Sequence, residues 1–328
     1  MTENMKAVVL KEFGAAENLY VEEVPLPSIG DNEVMVQVKA FSVNPVEAHV
    51  REVKDWWSLV SLNTPAAPYV ILGWDIAGVI TEVGQNVVNF KKGDEVFGMI
   101  NFLGLGAGYA EYVSAPEVDL AMKPSNISFE EAAGATMAAQ TAYVSLVGYG
   151  KIKKGDKIVV TGASGGVGHY AVQIAKYFGA YVIGVASEAN REFVLGLGAD
   201  EFVDYSTQNF EELVKDADMV HDAVWKNDES HIARSLLAIK PGGTLLSVMV
   251  YPSAEFIENA KKEKDVTVTR MNVTDTKDHV GDIEAIRSLL ESGAIKSYIS
   301  QTFTIEDTYK AHQQIETHST KGKIVIKL

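Results

Sequence analysis

Residues 158–175 read "IVVTGASGGVGHYAVQIA". An apolar run ends at Thr161, a knot of small residues follows, and an apolar pattern of a different period begins. Val167, Ala171, Ile174, Ala175 and Phe178 fall on one face of a helix. That strand, turn and helix context separates a dinucleotide-binding turn from a chance cluster of glycines. In the G-x-G-x-x-G frame the three key positions are Ala163, Gly165 and Gly168, with Gly162 just before them; the alanine departs from the pattern. Gly165 lets the backbone approach a diphosphate, whose charge is favoured by free amides and by the positive end of the helix. Gly168 lets the helix pack closely on the strand. The turn from Ala163 through Ser164, Gly165, Gly166 and Val167 to Gly168 is thus the expected phosphate cradle, and a ligand-free glycine turn is the alternative.

The surroundings favour the nucleotide. From about Ser128 to Asn272, strand and helix patterns alternate: "KIVVTG", "YVIGVAS", "EFVDY", "DMVHDAV" and "GTLLSVM" read as strands with helical segments between them. Such repeated units predict a parallel, doubly wound sheet. The preceding part, to about Val113, reads as short strands and turns, an all-β, barrel-like domain. After "VTVTRMNV" come a helix, "VGDIEAIRSLLESG", and a last strand, "KGKIVIKL", so the tail returns to β texture. Residues 1–125 and 275–328 are expected to form the substrate domain, and 126–274 the nucleotide-binding domain. Lys-Lys-Gly-Asp precedes a strand at both "FKKGDEVFG" and "KIKKGDKIVV", which reads as a recurring turn rather than a duplication.

Bulk composition narrows the function. The chain has 328 residues, enough for two domains, and 47% hydrophobic with 22% charged residues is ordinary for a globular protein. A formal charge of -15 argues against a partner held through its phosphate backbone. The absence of cysteine excludes disulfides, thiolate catalysis and Cys-ligated metal. No basic-then-apolar leader is read at "MTENMKAVVL", and no apolar run approaches the roughly 20 residues that cross a bilayer. A cytoplasmic protein with no membrane partner is expected.

The second strand of the alternating region chooses between dinucleotides. An NAD site carries an acidic residue at its end to bind the ribose 2′-hydroxyl. Here the strand ends in Ser187, which leaves room for a 2′-phosphate, and Arg191 lies one helical turn beyond, placed to pair with it. NADPH is therefore expected. Glu188 would oppose the phosphate if it turned inward, and Arg191 as a plain surface residue is the alternative.

Nearly the whole chain resembles the medium-chain dehydrogenase/reductase superfamily, and within it the zinc-independent quinone oxidoreductases, the ζ-crystallin-like branch. The resemblance rests on "MKAVVLKEFG", "VNPVEAHVR", "ILGWDIAGVITEVGQNV", "FKKGDEVFG", "YAEYV", "TGASGGVGHYAVQIAK", "LGADEFVDY", "KPGGTLLSV" and "KGKIVIKL". It implies an α/β chain: a GroES-like β-barrel catalytic domain plus a Rossmann domain. It also implies a homodimer, with "VTVTRMN" as the edge strand at the contact. The positions that hold catalytic zinc in related alcohol dehydrogenases correspond to Asn44 and Trp74, neither a usual ligand. Hydride delivery to an already activated acceptor, a quinone or an α,β-unsaturated carbonyl, follows from that lack. A reductase of enoyl thioesters or simple carbonyls, or a low-turnover NADPH-binding protein, are the rival readings.

The same resemblance supplies site residues. Asn44 would line the cleft beside the nicotinamide, donating to the acceptor oxygen or holding the cofactor; an ordinary turn before Pro45 is the alternative. His49 would protonate the reduced acceptor near neutral pH, the cofactor ribose and water being other sources and a structural histidine the alternative. Glu47 reads as a structural ion-pair member, with Arg51, or an exposed charge, and Asp75 as structural. Trp56, Trp57 and Tyr69 would wall a flat acceptor or pack the β-domain. Thr141, opening "TAYVSL", together with Ser247 and Val248 would border the nicotinamide, and Tyr205 the adenosine phosphate; each is equally a core residue at an element end. The segment Trp225 to Asn227 departs from the family's glycine pair and predicts a bulkier loop.

Overall fold

Three consecutive residues of the strand that opens the glycine turn, Ile158, Val159 and Val160, are fully buried. A strand apolar on both faces belongs in the middle of a sheet covered on both sides, and that is its place. The computed structural model describes residues 4–53, 69–226 and 228–328. Trp56, Trp57 and Asn227 lie outside the described residues. Strands are numbered β1 to β16 in chain order. The chain forms two compact units, Met1–Met137 with Asp278–Gly293 and Ser297–Leu328, and Ala138–Lys277 with Ala294–Lys296.

The first unit is mostly antiparallel. β1 (Asn4–Leu10) pairs with β2 (Leu19–Pro25) and with the short β4 (Val70–Ile71). The larger sheet centres on β3 (Glu33–Val43), which pairs with β5 (Asp75–Val83) and β7 (Tyr112–Pro116). β6 (Glu95–Met99) and β8 (Leu120–Met122) extend it beyond β5. The C-terminal strand β16 (Lys323–Lys327) runs antiparallel to the other edge of β3, and β15 (Ile299–Thr304) lies parallel to β16. Among the described residues, two α-helices of this unit go beyond the sequence reading. One, Pro45–Glu52, starts with proline at its first position and Asn44 at its N-cap, a recognisable start signal hidden inside a β-rich stretch. The other is Thr308–Glu316.

The second unit holds a parallel sheet in the order β11-β10-β9-β12-β13-β14. Its strands are β9 (Lys157–Thr161), β10 (Tyr181–Ala186), β11 (Glu201–Asp204), β12 (Ala217–Asp222), β13 (Ile239–Ser247) and β14 (Thr267–Arg270). The order reverses between β9 and β12, and at such a switch point doubly wound sheets bind ligands beyond the carboxyl ends of the strands. The assigned strands and the parallel sheet are those the alternating pattern predicts, with β14 at an edge. Val159, Ile183, Val220, Ile232 and Leu245 belong to its apolar core. The helix Phe129–Tyr143 runs into a π-helical turn, Val144–Tyr149, so Thr141 ends a long helix rather than opening one.

Candidate active site

β9 ends at Thr161, and Gly162 follows with φ +67, a conformation costly for other residues. The chain then turns into the helix Gly168–Tyr177. A Cβ on Gly168 would lie 2.1 Å from the Gly162 carbonyl oxygen, so this glycine is required for the close approach of helix and strand. A Cβ on Gly165 would meet only that same oxygen, at 3.3 Å. Ser164, Gly165, Gly166 and Val167 are half-buried, whereas Ala163 is wholly buried. Among the described residues, the amides of Ser164, Gly166 and Val167 donate to no backbone carbonyl. Unpaired amides at the start of a helix, on a turn stripped of side chains, form a cradle that fits an anionic diphosphate.

At the end of β10, Ser187 accepts a hydrogen bond from the Asn190 side chain at 3.1 Å. Arg191 opens the next short helix, and its guanidinium is held by Glu188 through two bonds of 2.6 and 2.8 Å. It also lies over the Phe202 ring, 4.5 Å from the centroid. Glu188 therefore faces the arginine, and its acidity is strengthened by that bond. Tyr205, just past β11, is 63% exposed. Ser247 is buried at the end of β13 with its hydroxyl donating to the Val250 carbonyl at 2.8 Å, and the Val248 amide donates to the Asp222 carbonyl at 2.9 Å. Thr141 is buried.

The first unit has a polar cluster of its own that the sequence reading missed in part. The Asn44 amide nitrogen donates to Asp75 Oδ2 at 2.8 Å and to Glu47 Oε1 at 3.2 Å. Its oxygen accepts from Lys323 Nζ. Lysine only donates, so the atom facing it must be oxygen, and both amide hydrogens are spent on carboxylates. The orientation of the Asn44 amide is thus set by three side chains, Glu47, Asp75 and Lys323. Glu47 also accepts from the Asn44 backbone amide at 2.9 Å, and Asp75 accepts from Ser42 and from the Met137 amide. Glu47, Asp75 and Lys323 are all buried. Burial, and then the Asp75 charge, push the Glu47 carboxyl up to about 8, while burial lowers Lys323.

The expectation for Glu47 changes here. Glu47 is neither exposed nor paired with Arg51, whose partners are Glu52 and Glu316. Trp74 is a buried ring donating to the Gly104 carbonyl at 2.9 Å. His49 sits half-buried on the helix that Asn44 caps, and Tyr69 is half-buried. Lys323 was missed because one lysine in "KGKIVIKL" looks like any strand charge; only its pairing beside β3 shows it buried.

Comparison with known proteins agrees with this architecture. The chain matches the alcohol dehydrogenase GroES-like domain over residues 30–125 and the zinc-binding dehydrogenase family over residues 197–326. It is 31% identical over 335 residues to the 2-methylene-furan-3-one reductase of Solanum lycopersicum, covering 98% of this chain and 79% of that protein. It is 30% identical over 337 residues to the quinone oxidoreductase of Homo sapiens, covering 99% and 98%. The structure of Escherichia coli quinone oxidoreductase complexed with NADPH superposes with a TM-score of 0.84, at 26% identity, covering 98% of this chain and all of that one, 100%. A GroES-like β-unit and a Rossmann unit with an open glycine turn define a two-domain oxidoreductase scaffold. The chain belongs to the medium-chain dehydrogenase/reductase superfamily, with quinone oxidoreductases and enone reductases as its relatives.

One of those family names carries zinc. Among the described residues no three His, Cys, Asp or Glu side chains come together as a metal would need. With Asn44 oxygen taken by Lys323 and no cysteine in the chain, the residues do not fit a Cys/His zinc site. No described helix is long and apolar enough to cross a membrane.

Proposed function

We propose that this protein is an NADPH-dependent reductase that transfers hydride to a quinone or an α,β-unsaturated carbonyl without assistance from zinc. The observation that carries the reading is the glycine turn at the carboxyl end of the central strand, where, among the described residues, the amides of Ser164, Gly166 and Val167 donate to no backbone carbonyl. Ala163 to Gly168 would hold the diphosphate, Ser187, Arg191 and Tyr205 the adenosine end, and Thr141, Ser247 and Val248 the nicotinamide end. NADPH, when bound, supplies the hydride. The relatives' names, quinone oxidoreductase and 2-methylene-furan-3-one reductase, support activated acceptors.

The chain's own residues then position and protonate. Residues 1–125 and 275–328 supply the substrate domain and 126–274 the cofactor domain. Asn44 keeps the wall of the acceptor site in shape through Glu47, Asp75 and Lys323, and His49 is the proposed proton donor. A homodimer is part of the reading, supported by the edge position of β14, and so is a cytoplasmic location without nucleic-acid or membrane partners. The test is calorimetric titration with NADPH and NADH, then NADPH oxidation measured across quinones, enones, enoyl thioesters and aldehydes. Tight NADPH binding with turnover confined to quinones and enones is expected; a preference for NADH or for aldehydes overturns the reading.

A further inference from the structure

The chain has five arginines, and its acidic residues outnumber its basic ones by 44 to 29. Four arginines bond a carboxylate: Arg51, Arg191, Arg234 and Arg287. Arg270 bonds none among the described residues. Its Nε is buried without any partner, and its guanidinium carbon instead lies 3.2 Å from the centroid of the Tyr251 ring. A half-buried guanidinium loses hydration, and a ring face returns only part of it because the in-plane N–H donors stay unused. In a chain so rich in acids, an arginine fork left open marks a place where the carboxylate comes from elsewhere.

Its position says where. Arg270 is the last residue of β14 and registers with Ser247, the last residue of β13. The Met271 amide donates to the Ser247 carbonyl at 2.9 Å, and the Ser247 hydroxyl donates to Val250, which ties down the turn leading to Tyr251. Both strands present their carboxyl ends here, the ligand side of a doubly wound sheet. Tyr149, half-buried, lies within electrostatic reach of Arg270. A positive fork stacked on one tyrosine, near a second and next to the residues proposed to border the nicotinamide, suits a flat, anionic molecule.

We infer that Arg270, braced on Tyr251, is a specificity-determining residue that takes the carboxylate of the acceptor, so that the preferred substrates are conjugated carbonyl compounds bearing an acid group. The inference rests on the reductase reading above and narrows it. Tyr251 and Arg270 lie outside the Ala163–Gly168 turn, so binding of the cofactor and of the acid group can be measured separately.

The experiment compares two matched acceptors, 4-oxo-2-pentenoate and its methyl ester, with NADPH and the full-length protein. The wild type is expected to favour the acid over the ester by at least tenfold in kcat/KM. Arg270→Met, which keeps the aliphatic stem, is expected to collapse that ratio at least tenfold, chiefly through KM for the acid. Arg270→Lys should recover part of it, since a point charge replaces a fork. An acid-to-ester ratio that is near one in the wild type, or unmoved in Arg270→Met, overturns the inference. So does an Arg270→Met protein that dissociates where the wild type is dimeric, because the arginine then serves an interface. A direct titration with the saturated 4-oxopentanoate in the presence of NADPH reads the subsite without turnover. Binding lost in Arg270→Met supports the site even if neither acceptor is reduced, in which case only the reductase reading falls. No binding to the wild type overturns the subsite.

Discussion

Lys323 on the last strand donates to the side-chain oxygen of Asn44, 279 positions earlier in the chain, and both are buried. One ammonium thereby fixes which way the amide points and sits 3.8 Å from Asp75. Removing it leaves two buried carboxyl groups without a cation. Lys323→Met is expected to cost about 3–5 kcal/mol in urea unfolding. A loss within experimental error would mean that the cluster is not held by this lysine.

The glycines of the turn separate folding from binding. Gly168→Ala forces a methyl against the Gly162 carbonyl and is expected to lower stability by about 1–3 kcal/mol. Gly165→Ala meets a single atom at 3.3 Å, so the fold should survive while the NADPH Kd rises at least tenfold. The pair of measurements is thermal unfolding and calorimetry. Equal effects of both variants on both readouts would contradict the assignment.

Glu188 occupies the guanidinium that the 2′-phosphate is proposed to use. Glu188→Gln should release Arg191 and tighten NADPH several-fold while NADH binding stays unchanged. Weaker NADPH binding would show that the pair itself shapes the site.

Buried titratable groups make stability depend on pH in two opposing directions. His221 and His312 are buried, and burial lowers them to about 4 and about 3. Between those values and the ordinary 6.5, the unfolded chain binds protons that the folded one refuses, so stability is lost as pH falls through that window. Glu47 works the other way. Raised from 4.5 to about 8, it keeps a proton in the fold that the unfolded chain releases, so its contribution is full below 4.5 and is lost as pH rises from there through about 8. Both His221 ring nitrogens lack partners. His221→Leu should therefore stabilise the protein by about 1–3 kcal/mol, more at about pH 5 than at about pH 8. Equal gains at both pH values would contradict the buried, neutral imidazole.

The parallel sheet was legible because its strands are continuous apolar runs and its turns carry glycine. Gly162, Gly165 and Gly168 say where the backbone must come close, and backbone demands are local. The helix Pro45–Glu52 was readable in principle from Asn44 and Pro45, yet a short helix in a β-rich region offers too few periods to compete. The Asn44 cluster was half legible. Asn44, Glu47 and Asp75 stand in quotable motifs, but Lys323 reaches them only through the pairing of β16 with β3, which no local pattern encodes. The Arg191–Glu188 pair was within reach, since residues three apart on a helical turn face each other.

Hydride from NADPH is expected to go to the far carbon of a conjugated acceptor. Reduction of an enone with 4-deuterated NADPH locates it. Deuterium on the β-carbon of the saturated ketone is the predicted result; deuterium on the carbonyl carbon, or product without label, contradicts the account.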